Sequence, residues 1–316
     1  MTQHRIDASP ATVHWGHFDA ALKRVLTVDS GDTVTLSSVS GLPGFLPDET
    51  SGFTVAPALR AIHESVESKG PHICTGPVAV RGAKPGDTLE VRIKAVELHD
   101  DWGYNLILPD IGGALSEDFK DPRALMIGLD RGRMIGRLPF GIDVPLRPFF
   151  GVMGVAPSPS AGSVSSVPPG RHGGNIDNKE LIAGTTLFLP VHTEGALFSV
   201  GDGHGVQGDG EVCLTAIETG LIGTFELHLH PGRPLEWPYA ETPTHLITMA
   251  FDPDLDVCAK IALRNMIGAI CERTGLSRED AYTLCSLAAD LRITQVVNGN
   301  KGVHCMLEKR YLAPRT

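Results

Sequence analysis

The chain has 316 residues, of which 42% are hydrophobic and 20% charged, as expected for one large globular domain or two closely fused ones. Its 37 acidic and 27 basic side chains give a formal net charge of −10. An acidic chain without a Lys/Arg run lacks the charge pattern of proteins that bind nucleic acids or anionic membranes. The charge is compatible with a neutral small molecule or a cation as the ligand, and it does not distinguish between them.

The first ten residues contain no apolar segment of a signal peptide, and every apolar run is far shorter than the roughly 18 residues that cross a bilayer. We therefore expect a cytoplasmic protein that does not associate with membranes. Six cysteines without CxxC spacing are expected to be buried free thiols. They are Cys74, Cys213, Cys258, Cys271, Cys285 and Cys305.

Short alternating runs dominate the first 250 residues, in a chain whose 36 glycines and 23 prolines make turns frequent. In residues 88–94, Leu89, Val91 and Ile93 alternate with polar residues, and residues 224–230 repeat the pattern. This alternation predicts half-buried strands. Many short strands separated by turns indicate a β-sandwich or a β-barrel.

Residues 156–175 are rich in Pro, Ser and Gly, and they end in PPGRHGGN. Pro removes backbone donors and Gly costs backbone entropy, so the segment is not the interior of a regular element. A flexible linker is one interpretation. The concentration of prolines and glycines beside His172 favours the other interpretation, a loop packed over a functional site.

The segment 195–218, GALFSVGDGHGVQGDGEVCLTAIE, is the richest in polar side chains and glycines. We expect a strand over 196–200, turns over 201–205 and 207–211, and a second strand over 212–217. Asp202 and His204 are two residues apart and would share one side of an extended chain. Both side chains could then coordinate the same metal ion. A pair of Gly-rich hairpin turns with Asp and His caps is the alternative.

Residues 203–208 also match the G-x-G-x-x-G pattern of dinucleotide-binding proteins. That pattern requires a helix immediately afterwards, within a βαβ unit. A β-branched run follows here, so dinucleotide binding is not expected.

The C-terminal segment has a helical pattern in place of the alternating pattern of the first 250 residues. Residues 256–273 place polar side chains four apart opposite isoleucines, which predicts an amphipathic helix ending at Gly275. Ser277 begins a capping-box pattern for a second helix, and strands are expected around residues 291–294 and 303–307. The prediction is an α+β, β-rich chain: a sandwich over residues 1–250, and a helix pair with closing strands over 251–316 on the same core.

The Gly-rich segment resembles the signature of the acetamidase/formamidase family through GALFSVGDGH and QGDGEVC…AIE. Other similar blocks are spread along the chain: VHWG at 13–16, TGPV at 75–78, PG and HGGN within 169–175, CSLA at 285–288 and NKGVH at 300–304. The resemblance implies hydrolysis of short linear amides to acid and ammonia. It also implies a metal-binding active site and a β-sandwich core with an added α/β part.

Asp202 and His204 are the first choices for metal ligands, with His72 as a third ligand. Asp177 is assigned to the same metal site, where it would orient a ligand histidine. A divalent cation supplies the activated water that amide hydrolysis needs. Zinc suits nitrogen and oxygen donors, and calcium, which prefers more oxygens, is the second choice.

Glu211 is assigned the catalytic base that later returns the proton to the departing nitrogen. His172 is expected to polarise the carbonyl or to act as a third ligand. The N–H groups of Gly203 and Gly205, or those of Gly173 and Gly174, are expected to receive the developing oxyanion, with Gly203 as the first choice. Glu218 lies seven residues after Glu211, and in an extended strand it would face the opposite side. It is therefore expected to be structural.

Four further histidines are weaker candidates for the site. His228 and His230 have chelating spacing, but their strand alternates cleanly, so they are expected to face solvent. His14 falls in a family-like block and stays a weak site candidate. His304 could face either the site or solvent.

Two other functions remain open. A thiol amidase would use Cys74 as nucleophile and His72 as base. A non-catalytic β-sandwich that binds a metal or ligand would account for the lack of a visible catalytic triad. A homo-oligomer is expected for an amidase of this kind.

Overall fold

The computed structural model describes residues 1–109 and 111–312, and it is built mainly of β-strands in two large sheets. The larger sheet has nine strands, in spatial order β1 (Gln3–Ile6), β5 (Thr33–Ser37), β17 (Leu221–His230), β7 (Thr88–Leu98), β15 (Thr186–Pro190), β18 (Tyr239–Glu241), β19 (His245–Asp252), β21 (Lys301–Glu308) and β20 (Ala289–Gln295). The second sheet has six strands, namely β14 (Gly173–Asn175), β12 (Phe149–Gly154), β16 (Phe198–His204), β6 (Ile73–Val80) and β2 (Val13–Trp15), with β4 (Leu26–Val28) also paired to β6.

Two smaller sheets complete the β structure. One has four strands, in the order β11 (Asp143–Pro145), β10 (Ile135–Arg137), β9 (Arg123–Asp130) and β8 (Trp102–Ile107). The other pairs β13 (Val164–Ser165) with β3 (His17–Phe18). Neighbouring strands are antiparallel except that β1 is parallel to β5 and β4 is parallel to β6.

One hydrophobic core lies between the two large sheets. The alternation predicted for residues 88–94 is present, since Leu89, Val91 and Ile93 are buried on β7. Phe225 of the larger sheet packs against Phe198 of the smaller one, with ring centroids 5.7 Å apart. Burial of such side chains is the main favourable term in folding, at about 1.5–3 kcal/mol each. The prediction of an α+β, β-rich chain with a sandwich core is confirmed.

Three α-helices are present in the described residues: α1 (Pro57–Ser65), α2 (Leu255–Thr274) and α3 (Arg278–Ala288). The predicted C-terminal pair is confirmed together with its end signals. Gly275 ends α2 with φ 72°, and the Ser277 side chain accepts a hydrogen bond from the Asp280 N–H at the start of α3. Buried faces of α2 and α3 pack on β19 and β21, forming a second core cluster.

The C-terminal strands extend the same nine-stranded sheet, and β19 crosses residue 250. A domain division at that residue stays a prediction, as does homo-oligomer formation. Within residues 1–109 and 111–312 no helix is long and apolar enough to cross a membrane.

Two predictions for the Gly-rich segment are wrong. Gly201 to His204 belong to strand β16 rather than to a turn, and residues 212–217 form a loop rather than a strand. Leu214 has φ 92°, and the Asn105 side chain donates to the Thr215 and Ala216 carbonyls at 2.9 and 3.1 Å. These tertiary contacts override the β preference of the branched residues in the loop.

The Pro/Ser/Gly-rich segment 156–175 is a packed loop that carries β13 and β14. Ser166 is 1% exposed, its N–H donates to the Gly16 carbonyl, and its hydroxyl lies 2.9 Å from His72 Nδ1. The linker interpretation does not fit these contacts.

Candidate active site

Strand β16 brings the first two polar side chains of the site together. Asp202 and His204 lie on one side of the strand, and Asp202 Oδ2 is 3.2 Å from His204 Nε2. Asp202 has φ 54°, a left-handed conformation that is uncommon for a residue other than Gly. The pairs Phe150–Gly203 and Val152–Gly201 place Gly151 of β12 opposite Asp202.

The loop after β16 brings two more carboxylates to His204. Glu211, with φ 45°, has its Oε1 4.0 Å from His204 Nε2, and Glu218 has its Oε1 3.3 Å from the same atom. The expectation that Glu218 faces away from Glu211 is therefore wrong. It assumed a regular strand between them, whereas the chain turns within residues 211–217.

Asp177 completes the cluster from the loop after β14. It is 1% exposed, has φ 51°, and belongs with His204 and Glu211 to a group whose ligand atoms all lie within 4.8 Å of one another. Asp202, His204 and Glu218 form a second such group. We call these five residues the carboxylate cluster. Three of its four acidic residues have positive φ, a strain that proteins tend to keep at functional sites.

Three amide side chains that the sequence analysis did not assign to the site hold the carboxylate cluster in place. Asn298 Nδ2 donates to Asp177 Oδ2 at 3.1 Å and to Glu211 Oε2 at 3.2 Å. Gln295 Oε1 accepts from the same nitrogen, and Gln207 contacts His204. Gln295 and Asn298 come from the C-terminal segment, which therefore supports the site. An isolated Asn or Gln in the sequence carries no signal for such a role.

The tautomer of His204 follows from Gln207. The Gln207 Nε2 donates to the Asp177 carbonyl at 2.8 Å, so its Oε1 is the atom that accepts from His204 Nδ1 at 2.9 Å. Nε2 of His204 then faces three carboxylates. That arrangement is unfavourable unless a proton or a cation lies between them. Burial lowers the pKa of His204, but Glu218 and Asp202 outweigh it and raise that pKa well above its usual value.

The electrostatics of the carboxylate cluster reflect four buried acids around one imidazole. Burial, reinforced by neighbouring carboxylates, raises the pKa of Asp177 and of Glu211 well above their usual values, and burial raises the pKa of Glu218 to about 7. Burial opposes ionisation of Asp202, but His72 and His204 outweigh it and lower the pKa of Asp202. All four acids cannot ionise together around one imidazole unless a further cation is present.

These residues fit a divalent cation. Asp177 Oδ1, Glu218 Oε2 and His204 Nε2 are buried and have no hydrogen-bond partner in the described structure. Buried polar atoms without partners are rare in native proteins, and carboxylate and imidazole donors within 4.8 Å of one another are a typical ligand set.

Gly151 leaves the space in which these donors converge. A Cβ at this position would lie 2.6 Å from Asp202 Oδ2, 2.7 Å from Asp177 Oδ1 and 2.7 Å from His204 Cε1. Gly151→Ala is therefore expected to push the donors apart and to weaken cation binding by about 10- to 100-fold, measured by calorimetric titration of the metal-free protein.

Gly208 provides the matched control, because it lies in the neighbouring loop and a Cβ there would meet nothing within 4 Å. Gly208→Ala should keep the cation affinity of the unmodified protein. An unchanged affinity in Gly151→Ala would show that the cation does not bind between these donors.

A cavity of about 60 Å³ opens onto the carboxylate cluster. Asp202, Glu211 and Glu218 line one part of it, together with His72, Tyr104, Asn175 and Asn298. Apolar side chains form the rest of the wall, including Leu42, Ile73, Leu106 and Leu214. Pockets for drug-sized ligands measure about 300–1,000 Å³, so this cavity suits a ligand of only a few heavy atoms.

The remaining predicted site residues are not part of the carboxylate cluster. His72 lines the cavity but belongs to neither group of ligand atoms. His172 packs edge-on against Phe18 and is absent from the cavity wall, and burial lowers its pKa to about 4. Gly203 lies within β16, where a Cβ would be 2.3 Å from the Thr219 carbonyl oxygen, so a close approach of two backbones requires this glycine.

The other oxyanion candidates are already engaged. The Gly205 N–H donates to the Ile217 carbonyl at 2.7 Å, and the Gly173 N–H donates to the Gly170 carbonyl at 3.0 Å. Neither group is free to receive a ligand oxygen in this structure.

The weaker histidine candidates lie elsewhere. His14 is held between the His17 carbonyl at 2.7 Å and Ser199 Oγ at 2.9 Å. His304 contacts Thr294 Oγ1 at 2.8 Å and does not line the cavity. His228 contacts Glu226 and His230 contacts Glu90 on the polar face of their strand, where no metal-binding role is expected for either histidine.

Cys74 is a poor candidate for a nucleophile. Its side chain is fully buried on β6, and burial raises the pKa of the thiol well above its usual value. The attacking species in thiol catalysis is the thiolate, which this environment disfavours. All six cysteines are free, as predicted.

Comparisons with known proteins agree with the motifs. Residues 8–162 and 160–235 match the model of the Acetamidase/Formamidase family. A formamidase of Methylophilus methylotrophus is 28% identical over 240 residues, which cover 57% of this chain and 59% of the relative. An acetamidase of Mycolicibacterium smegmatis is 28% identical over 216 residues, which cover 50% and 53%. The chain thus spans little more than half the length of these curated relatives.

The fold also matches over nearly its full length. The crystal structure of an acetamidase from Bacillus halodurans superposes with a TM-score of 0.82 and 31% sequence identity, covering 97% of this chain and 98% of that one. The resemblance drawn from the sequence motifs is confirmed.

Proposed function

Because this chain belongs to the acetamidase/formamidase family, we propose that it hydrolyses short linear amides to a carboxylic acid and ammonia with a bound divalent cation. One observation carries the proposal: three buried carboxylates and the half-buried Asp202 converge on His204 beside a cavity of about 60 Å³. Such a site can accommodate a bound cation together with the two reactants, water and a small amide.

The cation would be held by Asp202, His204 and Glu218, while Asp177 and Glu211 form the second group of donors around the same imidazole. We infer zinc as the first choice, because an imidazole with two or three carboxylates suits it, and calcium as the second. When bound, a divalent cation lowers the pKa of a coordinated water towards about 7 and polarises a carbonyl. His72 lines the same cavity and is the nearest further imidazole for orienting the substrate.

Glu211 is the proposed proton carrier. Asn298 holds its Oε2, so Oε1 is left to exchange a proton with the contents of the cavity. The carboxylate takes a proton from the attacking water while the oxygen–carbon bond forms, and it returns that proton to the nitrogen while the carbon–nitrogen bond breaks. Water and amide are consumed, and carboxylic acid and ammonia are released.

The wall of the cavity sets the size of the acyl group. Ile73, Leu106 and Leu214 offer apolar contact to a methyl or ethyl group, but the volume leaves no room for a long chain. These residues favour short linear amides and exclude bulky ones.

Ammonia release from a series of amides tests the proposal. The zinc-loaded protein is expected to hydrolyse formamide and acetamide, with kcat/KM falling at least about 100-fold for hexanamide because its chain does not fit. A protein that binds the cation but releases no ammonia from any short amide would be the non-catalytic binding module instead.

A further inference from the structure

Asn175 carries an unused hydrogen-bond acceptor beside the carboxylate cluster. The residue ends strand β14, is 1% exposed, and lines the same cavity as Asp202 and Glu211. Its Oδ1 is buried and has no hydrogen-bond partner in the described structure. Asn175 ends the family-like block HGGN, and the sequence pattern alone indicates no role for it.

The surroundings of Asn175 fix which atom of its amide is the free one. Its Nδ2 donates to the Val167 carbonyl oxygen at 3.0 Å, and a carbonyl cannot donate in return. The opposite orientation would place two oxygens against each other. Oδ1 is therefore the free atom, and it can only accept a hydrogen bond.

The backbone around Asn175 is also held. Gln295 Nε2 donates to the Asn175 carbonyl at 2.7 Å, and Asn175 pairs with Val152 in the sheet. A buried acceptor that is held in position but lacks a partner has lost its hydrogen bonds to water without replacement, and a ligand donor would restore one.

We propose that Asn175 Oδ1 accepts an N–H of the substrate nitrogen and thereby selects unsubstituted amides over esters of the same acid. This inference rests on the proposed function. A primary amide presents two N–H donors at its leaving group, whereas an ester presents none. An unsatisfied acceptor in the site discriminates strongly against a ligand that cannot donate to it.

The position also serves the proton transfer. Asn175 and Glu211 line one cavity, so a nitrogen held through its N–H by Oδ1 can turn its lone pair towards the Glu211 carboxyl group. Asn175 moves no proton itself. It keeps the leaving nitrogen in place while Glu211 delivers one.

The test compares acetamide with methyl acetate in the zinc-loaded protein. Asn175→Leu removes the acceptor while nearly preserving shape, and it is expected to lower kcat/KM for acetamide by about 10- to 100-fold. For methyl acetate, followed as a substrate or as a competitive inhibitor of acetamide hydrolysis, kcat/KM or Ki should change less than about threefold, because the ester has no N–H that could donate to Oδ1.

Two controls accompany this variant. Ser165→Ala alters the exposed end of the loop that holds Asn175 through Val167, and it should leave the preference for acetamide unchanged. Asn175→Ala removes the same acceptor without a larger side chain. It replaces the Leu variant where that protein does not fold, and it should show the same loss of preference.

Equal losses for acetamide and methyl acetate would overturn the inference, since Asn175 would then only shape the cavity. Weaker zinc binding in the Asn175 variants, measured by titration, would overturn it as well and make Oδ1 a ligand of the cation. An unmodified protein that releases no ammonia from acetamide would overturn the proposed function itself. The results therefore separate the two failures.

Discussion

Replacing Glu211 with Gln is expected to lower kcat for acetamide hydrolysis by about 10²- to 10⁴-fold. The Gln oxygen can still accept from Asn298 Nδ2, so the side chain should keep its place, but an amide neither takes a proton from water nor returns one to nitrogen. KM should change little, because the cavity wall is preserved. Steady-state ammonia release measures both constants.

The control for this variant is Asp209→Asn. Asp209 lies in the same loop as Glu211, but its carboxylate forms an ion pair with Lys179 at 2.8 Å instead of joining the carboxylate cluster. Asp209→Asn should therefore retain most of the turnover. Glu211→Gln should also retain zinc through Asp202, His204 and Glu218. Turnover at the unmodified rate in Glu211→Gln would remove Glu211 from its assigned role.

Chelation of the cation is expected to abolish amide hydrolysis, and added zinc should restore it. Without a cation, burial raises the pKa of Asp177, Glu211 and Glu218 and so disfavours their ionised forms. In that state no cation activates the attacking water. Activity is measured alongside the metal content of the same samples by elemental analysis.

Cys74→Ser separates this mechanism from a thiol amidase. The variant should keep its activity and its dependence on the cation, because the Cys74 thiol is buried and its pKa is raised. Full activity in protein shown to be free of metal would refute the cation assignment. Loss of activity in a folded, zinc-loaded Cys74→Ser protein would instead favour the thiol.

Local sequence patterns predict much of the fold correctly, because the elements they indicate depend on interactions between residues close together in the chain. The alternation around Leu89 and Val91 requires a half-buried strand, and Ser277 and Gly275 mark helix ends through their own backbone and side-chain geometry. Asp202 and His204 were predicted to act together, since two residues in an extended chain face the same side. Their contact at 3.2 Å follows from that geometry.

Prediction was poorer wherever the outcome depended on distant segments. Glu218 was expected to be structural because a regular strand was assumed after Glu211. The structure shows a loop there, held by the side chain of Asn105 on β8. His172 stands in a conspicuous Gly-rich block, but its position relative to the cavity depends on distant segments, and its ring packs against Phe18.

By itself, the sequence determined the strand-rich class, the C-terminal helix pair and the shared side of Asp202 and His204, because each depends on spacing along one segment. Only the tertiary structure decided which carboxylates join them. Asp177 arrives from the loop after β14 and Glu218 from the loop that precedes β17, and Asn298 from the C-terminal segment fixes Asp177 and Glu211. Charges that meet in a buried cluster are selected by packing between sheets, and no local periodicity encodes that packing.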